Sequence, residues 1–121
     1  MIGKTDLMLR TRAFALRIIR LYGALPKSTV AQVIGKQVLR SGTSVGAHVR
    51  EGKRSRSDAE LLSKIRGALQ EIEETSYWLE LLTESGIVRM ELLEAPMKEA
   101  DELTAILVTS ANTVQRRGNR Q

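Results

Sequence analysis

The stretch SDAELLSKIRGALQEIEETSYWLELLTESGI, residues 57–87, decides the fold. It opens with Ser57-Asp58-Ala59-Glu60, a capping box in which the serine hydroxyl accepts from the Glu60 amide and the glutamate reaches back to the Ser57 amide. Leu61, Ile65, Ala68, Ile72, Thr75, Leu79 and Leu82 then recur at steps of four and three. That spacing lines one face of an α-helix, which turns once in about 3.6 residues. Gly86 stands where a left-handed residue stops a helix, with Ile87 placed to meet Leu82 as in a Schellman ending.

The same alternation extends outward in both directions. Upstream, a run starting near Ser28 carries Ile34, Val38, Ser41, Val45 and His48 and fades at Gly52. Before it lie Leu7, Thr11, Phe14, Ile18, Leu21 and Leu25, ended by Gly23 and by Pro26, which pushes its predecessor out of the α region. Downstream come Leu93, Met97, Ala100, Leu103, Leu107, Ser110 and Val114, with Pro96 early enough to mark either the true start or a kink. No segment alternates with period two, and no Asn-Gly or Asp-Gly hairpin turn occurs. The reading is all-α: one domain over residues 1–121, with helices at about 6–24, 28–53, 57–85 and 90–116 and a basic tail at 116–121. Short turns between such helices predict an antiparallel up-down-up-down four-helix bundle.

The first helix carries more apolar surface than one bundle face uses. Beyond its seam it has Met8, Leu9, Ala13, Ala15, Leu16, Ile19 and Tyr22. A helix apolar nearly all round needs burial on more than one side, so a homo-oligomer is expected.

Composition narrows the function. There is no cysteine and a single histidine, His48, which leaves no thiol nucleophile, no zinc knuckle and no histidine-cluster metal centre. Four aromatics (Phe14, Tyr22, Tyr77 and Trp78) are too few for base-stacking platforms. A 42 % apolar content is that of a folded chain, and no uncharged apolar stretch approaches the roughly 20 residues of a membrane span. The N-terminus MIGKTDLMLR lacks a signal-peptide core, so a soluble cytoplasmic protein is expected.

Charge is divided along the chain. Residues 1–56 carry twelve basic side chains against two acidic ones, residues 57–115 carry four against twelve, and the last six residues add three arginines. Arg10, Arg12, Arg17 and Arg20 on the first helix, with Arg50, Lys53, Arg54 and Arg56 closing the second, form a candidate phosphate-neutralising cluster. Cations at the end of a helix also complement its dipole, and a basic half can equally pair with an acidic half of another copy.

Gln37, Arg40, Ser41, Ser44, His48 and Glu51 form a polar stripe on the second helix, beside Gly35, Gly42 and Gly46. Each helix-interior glycine costs about 1 kcal/mol relative to alanine, so three of them need a reason. Tight helix–helix packing with a polar layer that fixes register explains them better than a ligand groove does. His48 and Glu51 lie three apart on one helix, but nothing supplies a nucleophile, and two ligands do not make a metal site. No Glu-x-x-His pair of a di-iron bundle occurs. Neither a cofactor, a metal nor an enzymatic activity is expected.

Leu25-Pro26, Gln37-Val38-Leu39-Arg40-Ser41, Ser44-Val45, Glu51-Gly52 and Arg54, followed by Ser57 and Ile65-Arg66-Gly67-Ala68-Leu69-Gln70-Glu71, resemble the bacterial four-helix bundle proteins often encoded inside intervening sequences of 23S ribosomal RNA genes. The resemblance covers nearly the whole chain. His48 is a departure, standing where the family pattern has asparagine. The family is similar in fold to the accessory protein of diversity-generating retroelements, and the resemblance implies a ring-like homopentamer. By analogy with that accessory protein it also implies binding of RNA or DNA, and of a reverse transcriptase or other nucleic-acid enzyme, through a basic surface. It brings no catalytic residues. The expected function is sequence-tolerant RNA or DNA binding; the alternative is a protein–protein scaffold of charge-paired subunits.

Overall fold

A computed structural model describes residues 4–119, with side chains from Asp6 onward. The chain forms α1 (Lys4–Ala24), α2 (Thr29–Gly52), α3 (Asp58–Glu84) and α4 (Met90–Asn119), and the described residues contain no strand.

Local chemistry sets the helix ends. Ser28 is extended, with φ −64° and ψ 155°, and its hydroxyl accepts from the Ala31 amide at 3.3 Å. Ser57 does the same for Glu60 at 3.1 Å, forming the serine half of the capping box. Each hydroxyl satisfies an amide that the first helical turn leaves without a partner. Gly86 closes α3 with φ +73°, a conformation that costs a side chain but not glycine, and its amide donates to the Thr83 carbonyl at 3.2 Å.

One boundary of α4 differs from expectation, and the reading of its proline is decided. The helix begins at Met90 and runs through a buried Pro96, so the proline does not mark its start. It also continues to Asn119, which puts Arg116 and Arg117 on its last turns instead of in a tail; Arg120 and Gln121 lie outside the described residues.

Burial follows the four seams. Phe14 and Ile18, Val38 and Val45, Ile72, Leu79 and Leu82, and Leu93, Leu103 and Leu107 are all fully enclosed. Three polar residues, Thr11, Ser41 and Thr75, are buried with them. A buried hydroxyl is costly unless it is hydrogen-bonded, and each of these has its carbonyl one turn back: Leu7 at 2.9 Å, Gln37 at 2.8 Å and Glu71 at 2.8 Å. Thr75 Oγ1 also lies 2.8 Å from Ser41 Oγ, a polar rivet between α3 and α2 inside an apolar core.

α2 packs against both α1 and α3, α3 packs against α4, and α1 meets α4 least. The glycines of α2 explain how closely α1 approaches. A Cβ on Gly35 would stand 2.5 Å from Leu25 Cδ1, one on Gly42 2.9 Å from Ile18 Cγ1, and one on Gly46 3.4 Å from the Thr11 carbonyl oxygen. Ascending positions on α2 thus meet descending positions on α1, and side chains at the first two would force the helices apart.

Candidate nucleic-acid interface

Seven of the eight basic residues singled out in the sequence are exposed and make no ion pair among the described residues: Arg12, Arg17 and Arg20 on α1, Arg50 on α2, and Lys53, Arg54 and Arg56 in the turn that follows. Arg10 is the exception. Its guanidinium reaches across to α4, where Nε lies 3.2 Å from Glu99 Oε2, and Nη2 lies 2.7 Å from Glu99 Oε1 and 3.0 Å from Glu102. The Glu99 hydrogen bond, helped by Glu102 and opposed by partial desolvation, raises its pKa above the ordinary arginine value. Two carboxylates satisfy the Arg10 charge, which joins helices and is not offered to a phosphate.

The end of the bundle holds more positive charge than the sequence order suggests. Arg117 donates to Asp58 at 3.0 and 2.7 Å, and Arg66 donates to Gln115 at 3.3 Å. These contacts bring the last turns of α4, with Arg116 and Arg117, beside the turn that holds Lys53, Arg54 and Arg56. The Asp58 hydrogen bond raises the Arg117 pKa. Sequence spacing gave no hint of this, because 59 residues separate the paired side chains. The ends of α2 and α4 favour nearby cations, while the start of α3 at Asp58 opposes them. Several phosphates could be neutralised at such a surface without any base being read.

The polar residues of α2 have other partners. Arg40 contacts Glu74, lies 3.5 Å from Glu71, and donates through Nε to Gln37 Oε1 at 3.3 Å. The Trp78 indole donates to Glu74 at 3.0 Å, so this carboxylate ties α2 to the aromatic side of α3. Ser41 meets Thr75 as described, and Ser44 donates to the Arg40 carbonyl at 2.7 Å. Glu51 pairs with Lys64 at 3.0 Å, and that hydrogen bond holds its carboxyl below the usual carboxylate range. His48 packs on α3 where Gly67 leaves room: a Cβ there would stand 2.9 Å from the ring, and the buried Nδ1 has no hydrogen-bond partner. The glycine signal read on α2 applies equally to Gly67, which the reading of site residues passed over.

A cavity of about 460 Å³ opens at the same end, lined by Leu7 and Met8 of α1, His48 and Val49 of α2, Leu61 and Ile65 of α3, and the segment of α4 from Ala105 to Val114. The described residues contain no group of three or more histidine, aspartate or glutamate side chains placed to hold a metal. Among the described residues, no helix is long and apolar enough to cross a membrane.

The family model of the 23S rRNA-intervening sequence protein matches residues 4–109. A crystal structure from Bacteroides thetaiotaomicron, of a protein with unknown function from the S23 ribosomal protein family, is 35 % identical with a TM-score of 0.84, covering 90 % of this chain and 97 % of that one. No curated protein matches. With four helices and a match over residues 4–109, the chain belongs to the 23S rRNA-intervening sequence protein family.

Proposed function

We propose that the chain is a non-enzymatic, cytoplasmic, antiparallel four-helix bundle that assembles with copies of itself, as a ring of five, and binds RNA or DNA without sequence preference as an accessory to a nucleic-acid-processing enzyme. The observation that carries the binding reading is the contrast among the arginines. Arg10 is held by two carboxylates, whereas Arg50, Lys53, Arg54 and Arg56 gather at one end with no carboxylate on them among the described residues. Self-assembly is supported by Leu9, Leu16 and Ile19, 60 %, 45 % and 48 % exposed on a single helix beside Arg12 and Arg20.

A mobility shift on single-stranded RNA across a salt series tests the binding. Affinity is expected to fall steeply with salt, and replacing Arg50, Lys53, Arg54 and Arg56 together by alanine reduces the log–log slope by roughly 3, at about 0.7 per phosphate contact. An absence of any shift at low salt refutes it. The scaffold reading draws on the exposed Glu73, Glu80 and Glu84 of α3, a partner for the basic half of another copy. It predicts an oligomer that salt dissociates and nucleic acid leaves unchanged.

A further inference from the structure

Arg10, with Glu99 and Glu102, closes the seam between α1 and α4 at its middle. Beyond that clasp, towards the start of α1 and the end of α4, the seam opens into the cavity of about 460 Å³. Its floor is the buried core surface of Ile65, Leu107 and Val114. Its sides include Met8 and Ile106, half-buried side chains that stand outside the packed core. The carbon surface is aliphatic, with no phenyl or indole ring, and the volume falls in the range that holds small molecules. The recess draws on all four helices and opens to solvent on one side.

The rim has one sign of charge. Lys53 lines the mouth and has no carboxylate partner among the described residues, and Arg54 and Arg56 follow it in the turn. The carboxylates nearest in sequence are already engaged, Glu51 by Lys64 and Asp58 by Arg117. An aliphatic slot beneath a cationic rim matches a molecule with a hydrocarbon tail and a negative head. The His48 imidazole is the one ring among the lining side chains, so the slot offers little for a flat aromatic base to stack on.

We infer that this cavity is a binding site for a single-chain anionic amphiphile, its tail between α1 and α4 and its head at Lys53. The site does not depend on the nucleic-acid reading. Titrating decanoate into the full chain by calorimetry, below its micelle concentration and beside decan-1-ol and decyltrimethylammonium, tests it. The expected result is saturable binding of one decanoate per chain, about tenfold weaker binding of the alcohol, and no saturation with the cation. Lys53→Glu, on the exposed rim, weakens decanoate about tenfold and leaves the alcohol unchanged. Ile106→Trp and Ser110→Phe fill the slot from α4 and weaken both ligands at least tenfold, with the helical circular dichroism retained. Absence of saturable decanoate binding overturns the assignment, as when a neighbouring copy fills the slot. Equal affinity for all three head groups overturns it too, as does decanoate binding that survives both filling variants; Lys53→Glu decides the matter if those variants fail to fold.

Discussion

Arg10 grips Glu99 through two nitrogens, at 3.2 and 2.7 Å, across the seam where α1 and α4 otherwise touch least. Bidentate guanidinium–carboxylate pairs are among the stronger ion pairs, yet this one is partly exposed and therefore screened. Arg10→Met is expected to cost about 1 kcal/mol in denaturant unfolding while changing RNA affinity less than twofold. Arg54→Met is expected to do the reverse, with little effect on stability and a clear loss in the mobility shift. The pair of measurements separates a clasp from a phosphate contact.

Glycines give opposite outcomes at two positions. Gly67→Ala places a methyl 2.9 Å from the His48 ring and is expected to destabilise by about 1–3 kcal/mol, as overpacking does. Gly23 has nothing within 4 Å of its added Cβ, so Gly23→Ala in α1 is expected to stabilise by about 0.5–1 kcal/mol through helix propensity alone. Thermal melts of the two variants move in opposite directions.

The buried Thr75–Ser41 contact predicts a coupling. Thr75→Val removes the contact between the helices and leaves Ser41 Oγ only its Gln37 carbonyl, at about 1–2 kcal/mol. Ser41→Ala in the same background costs less than it does alone. A double-mutant cycle reading no coupling shows that each hydroxyl relies only on its own helix carbonyl.

Acid titration isolates Glu51. Its carboxyl pKa is lowered in the folded state by the Lys64 hydrogen bond, so the stability it contributes is present above the ordinary carboxylate range and is lost as pH falls through it. Glu51→Gln is expected to flatten that part of the stability–pH curve. The group is exposed, so the difference shrinks as salt is raised, which melts at low and high ionic strength measure.

Much of the fold was legible because helical burial repeats along the chain. Thr11, Phe14, Ile18, Val38, Val45, Ile72, Leu79, Leu103 and Leu107 were assigned to seams by spacing, and all are buried. The glycines of α2 announced a close neighbour, and Ser57 and Gly86 announced where α3 begins and stops. Partners distant in sequence were not legible. Arg10 looks like its neighbours Arg12 and Arg17 until α4 brings Glu99 to it, and Arg117 looks like a tail residue until the bundle places Asp58 beside it. The cavity was equally hidden, since it joins seam residues such as Leu7, Ile65 and Leu107 to off-seam residues such as Met8 and Ile106, which only the packing of the helices brings together.

Mass in solution tests the central claim, that Leu9, Leu16 and Ile19 form a face one copy leaves uncovered. Light scattering at micromolar concentration is expected to give a multiple of the 13.5 kDa chain, and Leu16→Asp to shift it towards one chain with the helical signal intact. A monodisperse 13.5 kDa species for the unaltered protein contradicts the account.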